Sequence, residues 1–318
     1  MAQSWTYPIE KEISAISEDM KTWSGDEYPE LRKTIDSILS SSDRVTSALC
    51  ILSYFISGGR DSMQATHIAS CFETVYDGLH LHDKIDLDGK VKGYKKKLFS
   101  KDPTTTKAVV AGDYMFVNGF RLAYSNAPGV VPYLMKVSAI ISDGILGIVN
   151  STDNPDFTED DCMEILKKKY VSEIQVSMEC AAKEAGADDP MVKTMSDIGF
   201  NIGMAYNVMQ DVIDLIGRKI EPPTMIKIRY GEPSYPIYLA LNDPVSKEIA
   251  RECFGNRKIT AKEELSLVHE VRKSGMLAKC SKFVEGYKEK ARELIKALPE
   301  SEYSKALSEC IDSIQVVS

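Results

Sequence analysis

The stretch YNVMQDVIDLIG, Tyr206–Gly217, closes a long run in which apolar residues return every three or four positions. The spacing predicts a helix over 189–216, and Met195, Ile198, Ile202, Ala205, Met209, Val212, Ile213 and Ile216 form its broad apolar face. Asn207, Gln210, Asp211 and Asp214 fall at i, i+3, i+4 and i+7, so four polar acceptors share one stripe. A solvated face is the ordinary explanation of such a stripe. Two aspartates late in a helix nevertheless oppose its macrodipole, and aspartate is only a middling helix former. The placement is unfavourable unless a cation compensates for it.

The same periodicity recurs along the chain, over 9–22, 28–40, 43–58, 62–82, 105–125, 130–150, 158–185, 234–242, 244–254, 261–274 and 276–297. Strand-like alternation is hard to find. The breaks, SNAPGVVP, NSTDNPDFTED, AGADDP, IEPPT, LNDP and LPESE, carry the Pro, Gly, Asn and Asp of turns and helix starts. None is long enough for a flexible linker, and no solenoid repeat is visible. The expectation is a single all-α domain over 1–318.

Composition narrows the function. The chain of 318 residues is 43% apolar and carries a net charge of −8 with no long basic tract. It can bury a large core, and nucleic acid is excluded as its main partner. The seven cysteines are scattered and odd in number, without a C-x-x-C pair, as in a cytoplasmic protein with reduced core thiols. The N-terminal stretch is charged from its tenth residue and reads as no secretory signal. No apolar run is expected to reach the roughly 18 residues of a membrane span.

A second acidic place is YDGLHLHDKIDLDG, 76–89. If helix 62–82 continues to Ile85, Asp83 and Asp86 share a face, with Asp88 just beyond. His80 and His82 raise the thought of zinc, but no further His or Cys group has ligand spacing. Carboxylate pairs on two helices suit Mg²⁺ better, because that ion keeps several waters and takes one or two carboxylates plus substrate phosphates.

At these residues the chain resembles the all-trans polyprenyl diphosphate synthases. ETVYDGLHLHDKID, 73–86, lies along that family's first acidic helix, E-L-x-H-x-A-S-L-I-H-D-D-x-x-D. AVVAGDYMFVNGFRLA, 108–123, contains its A-G-D-Y stretch. NIGMAYNVMQDVIDLIG, 201–217, follows N-x-G-x-A-F-Q-I-x-D-D-x-x-D-x-x-G, and GEPSYPIYLAL, 231–241, follows G-K-x-T-L-P-x-x-x-A-L. The matches fall in the family's order and cover about 28 to 298. The resemblance implies the isoprenoid synthase fold, an antiparallel helical bundle around a deep cavity. It also implies two aspartate-rich motifs that hold Mg²⁺ on an allylic prenyl diphosphate. Metals drain charge from the leaving diphosphate, an allylic cation forms, and isopentenyl diphosphate attacks it. Asp83 and Asp211 become the candidate catalytic pair, with Asp83, Asp86, Gln210, Asp211 and Asp214 as candidate metal ligands. Val75, Tyr76, Gly78 and Leu79 become the apolar wall beneath; Gly78 leaves room there and Tyr76 takes it away.

The chain also departs from the pattern. Lys84 stands at the second Asp of the first motif, Gln210 at the first Asp of the second, and Asp86 is one residue early. Of the N-terminal G-K-R-x-R-P grip on isopentenyl diphosphate only Arg44 remains, in SSSDRVTS. The Arg pair after the first motif has become LDGKVKGYKKK, 87–97, in which Lys90, Lys92, Lys95, Lys96 and Lys97 offer charge without the planar fork of Arg. Gln175 stands in place of the Thr of a family K-T pair, and no Lys aligns beside it. Lys227 and Arg229 can still reach a diphosphate. Three readings stay open: a divergent synthase chain working as a homodimer or with a better-equipped partner subunit; a terpene-synthase-like enzyme that ionises an allylic diphosphate alone; and a non-catalytic regulatory or scaffold protein on the same fold. A Mg²⁺ site weaker than the family's is expected, and helix 105–125 is the candidate partner interface.

Overall fold

The structure, a computed structural model, describes residues 4–21, 33, 43–85, 89–90, 92, 104–218 and 222–315. Of the expected helix 28–40 all but residue 33 lies outside the described residues. Among those described no strand forms, and the elements are helices throughout.

After a 3₁₀ turn, Ser4–Ile9, helix α1 is Glu10–Lys21, α2 Val45–Ile56, α3 Ser62–Asp83, α4 Thr104–Asn126 and α5 Val131–Ser151. Next come α6, Glu159–Ile165, a π-helical turn, Leu166–Val171, α7, Ser172–Glu184, and α8, Asp189–Ile216. The short α9, Ile226–Arg229, precedes α10, Tyr235–Asn242, α11, Lys247–Cys253, α12, Ala261–Lys273, α13, Met276–Ile295, and α14, Glu302–Ser313.

Local chemistry sets several of these ends. The Asp61 carboxylate accepts the Met63 and Gln64 backbone N–H groups at 2.9 and 3.2 Å and starts α3. Thr158 with Asp161, and Thr260 with Glu263, close capping boxes on α6 and α12. Gly217 at φ 71 follows the last residue of α8, as the left-handed end of a helix requires.

The helix expected over 158–185 is interrupted by the π turn. The helix expected over 62–82 forms as α3 and ends at Asp83, with Lys84 as its cap, so the continuation to Ile85 that would put Asp83 and Asp86 on one face does not occur. One stretch, Pro128–Ser151, is long and apolar enough by length and composition to cross a membrane, although none was expected. Lys136 and Asp143 interrupt it, and both make ion pairs, with Glu179 and Lys168. All seven cysteines are buried thiols outside any disulfide, and burial pushes the Cys50, Cys71, Cys162, Cys180, Cys253, Cys280 and Cys310 thiols up, away from reactivity.

The chain divides into two compact units. Unit 1 comprises Met1–Ala139, Glu173–Gly199 and Leu294–Cys310; unit 2 comprises Ile140–Ser172, Phe200–Glu293 and Ile311–Ser318. In unit 1, Trp5, Ile9, Ile16, Leu49, Ile51, Leu52, Ile68, Phe72 and Met115 are fully buried. Phe55 stacks on Tyr303 with ring centroids 4.7 Å apart, which ties α2 to α14. Helices α3 and α4 approach so closely that glycine is required where they touch. A Cβ on Gly78 would lie 2.8 Å from the Gly112 carbonyl oxygen and 2.9 Å from the Phe116 nitrogen. A Cβ on Gly112 would lie 2.9 Å from the Gly78 oxygen. The His82 ring, which a Cβ on Gly112 would also meet, can move aside, but the backbone atoms cannot. Gly112→Val is therefore expected to cost roughly 1–3 kcal/mol through overpacking, read as a lowered urea midpoint; an unchanged midpoint would refute the close contact.

In unit 2, Ile202, Val208, Val212, Leu241, Leu267, Val271 and Cys280 form the core. Lys288 is buried and donates to the Ile314 carbonyl oxygen at 2.7 Å, which fastens the C-terminal segment to α13.

Candidate functional site

The first acidic stretch ends α3 in unit 1. Asp83 is the last helical residue, and Lys92 Nζ stands 3.9 Å from its Oδ1. The Lys92 N–H donates to the Lys84 carbonyl oxygen at 2.7 Å, so the chain after the helix folds back and delivers that ammonium. Lys90 is exposed. Asp86, Asp88, Lys95, Lys96 and Lys97 lie outside the described residues.

Of the expected wall, Val75 and Gly78 face α4: Gly78 abuts Gly112 and Phe116, and Val75 lies against Gly119. The room that Gly78 leaves is taken by the α4 backbone. Leu79 is buried. Tyr76 faces α7, where its hydroxyl donates to the Glu173 carbonyl oxygen at 2.8 Å.

Beneath Asp83 the same helix carries a polar stripe that its apolar surroundings do not foreshadow. Thr66, Ser70, Glu73 and Asp77 are all buried, and His80 continues the row. Arg44, the survivor of the expected grip on isopentenyl diphosphate, is turned into this stripe. Its Nη1 lies 2.8 Å from Glu73 Oε1, and Nη2 donates to Ser17 Oγ at 3.4 Å. The Ser47 hydroxyl donates to the other Glu73 oxygen. Arg44 has a left-handed backbone, φ 59, at the entrance to α2, a conformation costly for a residue with a long side chain. His80 Nε2 pairs with Glu173 Oε1 at 2.8 Å. Burial alone would lower the His80 pKa, but the Glu173 charge and hydrogen bond, with Asp77 and Asp83, bring it up to about 9. Asp77 Oδ2 is buried without a hydrogen-bond partner. Burial and the nearby Glu73 charge push the Asp77 carboxyl up to about 7, against the lowering pull of His80, Arg44 and Lys84. Gln175, on α7, donates to Ser196 Oγ at 3.2 Å.

The second acidic stretch ends α8 in unit 2, and each of its polar side chains already has a protein partner. Gln210 Nε2 donates to the Tyr206 hydroxyl at 2.6 Å, and Asn207 Nδ2 to the Gly203 carbonyl oxygen at 2.9 Å. Asp211 is buried, and Lys227 Nζ lies 2.5 Å from its Oδ1. Asp214 accepts the Thr224 hydroxyl and the backbone N–H groups of Ile226, at 3.0 Å, and Lys227, at 3.2 Å. Its own carbonyl oxygen accepts the Met225 N–H at 2.8 Å. The Lys227 ammonium also sits 4.2 Å from the centroid of the Tyr170 ring. Burial would lower the Lys227 pKa, yet the Asp211 charge, Tyr170 and the hydrogen bond to Asp211 drive it well up, so this lysine stays charged. Arg229 is spent elsewhere, in an ion pair with Glu264.

One residue here escaped the sequence reading. Lys169, in the π turn, is fully buried and lies 4.7 Å from the Tyr170 ring; burial pushes the Asp211 carboxyl up, and the Lys169 charge, after that of Lys227, pulls against it. The turn forms over Gly144, where a Cβ would come within 2.7 Å of the Lys169 nitrogen. The extra residue of a π turn shifts the helical register, so counting along a regular helix could not place it. The KKKY run at 167–170 was the available signal.

The two stretches test poorly as Mg²⁺ ligands. Among the described residues no three His, Cys, Asp or Glu side chains converge on a point a metal could take. Mg²⁺ demands near-octahedral oxygen donors. Asp211 is held by an ammonium, Asp214 by three donors, and Gln210 supplies a neutral amide at most.

Comparison with known proteins agrees with the helical architecture. The polyprenyl synthetase family model matches residues 28–271. Heptaprenyl diphosphate synthase component 2 of Bacillus subtilis is 20% identical over 294 residues, covering 92% of this chain and 84% of its own. The protein of the same name from Geobacillus stearothermophilus is 21% identical and covers 92% of each chain. Among solved structures, a polyprenyl synthase from Caulobacter crescentus CB15, complexed with calcium and isoprenyl diphosphate, superposes with a TM-score of 0.83 at 20% identity, covering 97% of this chain and 95% of that one. Described residues that form helices and no strand, the two acidic helix ends and a family match over most of its length establish that this chain belongs to the polyprenyl synthetase family.

Proposed function

We propose that the chain is a prenyltransferase subunit that joins an allylic prenyl diphosphate to isopentenyl diphosphate in a heteromer with an intact-motif synthase, and is weak alone. One observation carries this reading: the charged residues kept from the family pattern are already neutralised within the chain. Arg44 is consumed by Glu73, Asp211 by Lys227 and Arg229 by Glu264. Arg44 and Arg229 must surrender these partners before they can grip a phosphate, and Asp211 before it can hold a metal; the exchange is costly for the two buried pairs, Arg44–Glu73 and Asp211–Lys227.

The surface offers the partner a place. On α4, Val110, Val117 and Tyr124 repeat every seven residues and are 53%, 64% and 79% exposed. Large apolar side chains at one helical face in water mark an interaction surface, and heptad spacing suits another helix. The two similar proteins named as components of heptaprenyl diphosphate synthase supply the kind of assembly. In it, Mg²⁺ would be held chiefly by the partner's motifs, with Asp83 a weak contributor, and would supply the charge that lets the allylic diphosphate leave.

The test is to express the chain alone and with an intact-motif subunit of a prenyl diphosphate synthase. Mg²⁺, geranyl, farnesyl or geranylgeranyl diphosphate and labelled isopentenyl diphosphate follow, with analysis of the products. Elongation is expected to be at least tenfold faster in the mixture than for the chain alone, and Val117→Lys with Tyr124→Lys should abolish co-purification. Equal turnover by the chain alone would overturn the partner requirement. Hydrocarbons formed without isopentenyl diphosphate would replace this reading with a cyclase.

A further inference from the structure

Both acidic stretches have lost an Asp, and each retained Asp at their centre has acquired a lysine: Asp83 has Lys92, and Asp211 has Lys227. The second case is the more complete. Lys227 stands at 2.5 Å from a carboxylate that is itself buried, with the ammonium stacked over Tyr170. This is a fixed ion pair in a poorly solvated place, not a transient surface contact. Asp214, the other carboxylate of the stretch, spends one oxygen on the Thr224 hydroxyl and the Ile226 N–H and the other on the Lys227 N–H. Those bonds fix the start of α9, and α9 carries Lys227. The two aspartates therefore act as one device: Asp214 positions the segment, and the segment delivers an ammonium to Asp211.

We infer that the second acidic stretch has exchanged a divalent cation for the chain's own ammonium, Lys227, and binds no metal. The inference deepens the subunit reading and rests on it for identifying the stretch as a former metal site; its physical basis is the pairing itself. Gln210 fits the exchange. With an amide at the stretch's first position, one ammonium balances the charge of Asp211 without any ion from solution, whereas a divalent ion would have to displace Lys227 from a buried carboxylate. Met225, left-handed at φ 52 and fully buried, anchors the residue that precedes α9.

The experiment titrates Mn²⁺ into the full chain and reads free ion by electron paramagnetic resonance, without substrate or partner. The background is Asp83→Asn, so that the first stretch adds nothing. Asp211→Asn is expected to leave the Mn²⁺ isotherm unchanged. Lys227→Met combined with Gln210→Asp should create saturable binding at least tenfold tighter than before. Lys227→Gln with Gln210→Asp, which preserves length and a hydrogen bond to Asp211, serves if the methionine variant does not fold. Loss of Mn²⁺ binding on Asp211→Asn would overturn the inference, because the aspartate would then be a ligand in the parent. No gain in either folded Lys227 variant would overturn it too, because Lys227 would not be what stands in the metal's place. Neither result depends on a partner subunit, so failure of the subunit reading shows separately, in the co-expression assay.

Discussion

Arg44→Met is expected to destabilise the chain by about 3–5 kcal/mol, the cost of leaving one member of a buried ion pair behind. The Arg44 and Glu73 side chains are only 10% and 7% exposed, so solvent screens the pair little. Without the guanidinium, Glu73 keeps the Ser47 hydroxyl but loses the cation at its other oxygen, in surroundings that also hold Asp77. The double variant Arg44→Met with Glu73→Leu should recover most of the loss, since apolar replacements of a buried pair are often neutral. Urea unfolding of the single and double variants measures both. The same variants separate two roles for Arg44. A strut that ties the start of α2 to α3 predicts lost stability with recovery in the double variant. A grip on isopentenyl diphosphate predicts nearly unchanged stability and weakened substrate binding. A loss below about 1 kcal/mol for Arg44→Met would discard the strut.

The role of Arg44 could not be read from the sequence, because Glu73 is remote along the chain and only the packing of α2 on α3 brings the two together. Helix α8, by contrast, was read from 189 to 216 without error. Its apolar spacing is long and unbroken, Pro190 opens it and Gly217 ends it. Helix α14 is absent from the segments read in the sequence, although Tyr303, Ala306, Leu307, Cys310 and Ile311 repeat at helical spacing beyond the break LPESE. Short α9 escaped for a physical reason: four residues have no period, and it exists because Asp214 caps it from another element. At the candidate site the sequence supplied the residues and their departures, Lys84 and Gln210, but not their partners. That Gly78 faces the α4 backbone follows from Gly112, and that Asp211 meets Lys227 follows from the segment bound by Asp214. Site residues are legible as types; the pairings that decide their chemistry are long-range.

Asp77→Asn is expected to stabilise the chain at pH 8 and to flatten its stability between pH 4 and 7. In the folded chain the Asp77 carboxyl titrates at about 7, raised first by burial and then by Glu73, against 3.8 when unfolded. Between those values the native state keeps a proton that the unfolded state has released, so stability falls as pH rises. The stabilisation is fully present below about pH 4 and lost by the time pH passes 7, a swing on the order of 4 kcal/mol at 1.36 kcal/mol for each pH unit. His80 acts in the same direction over a later window. Its pKa, raised to about 9 by Glu173 once burial is outweighed, costs stability as pH rises from 6.5 to 9. Asparagine keeps the shape of Asp77 and removes only the first window. Denaturant midpoints across pH 4 to 9 should therefore show a parent that weakens throughout and an Asp77→Asn variant that weakens only above about pH 6.5. A variant with the parent's slope between pH 4 and 7 would show that Asp77 does not hold its proton in the folded chain. In that case the unpartnered Oδ2 would belong to a carboxylate satisfied by water.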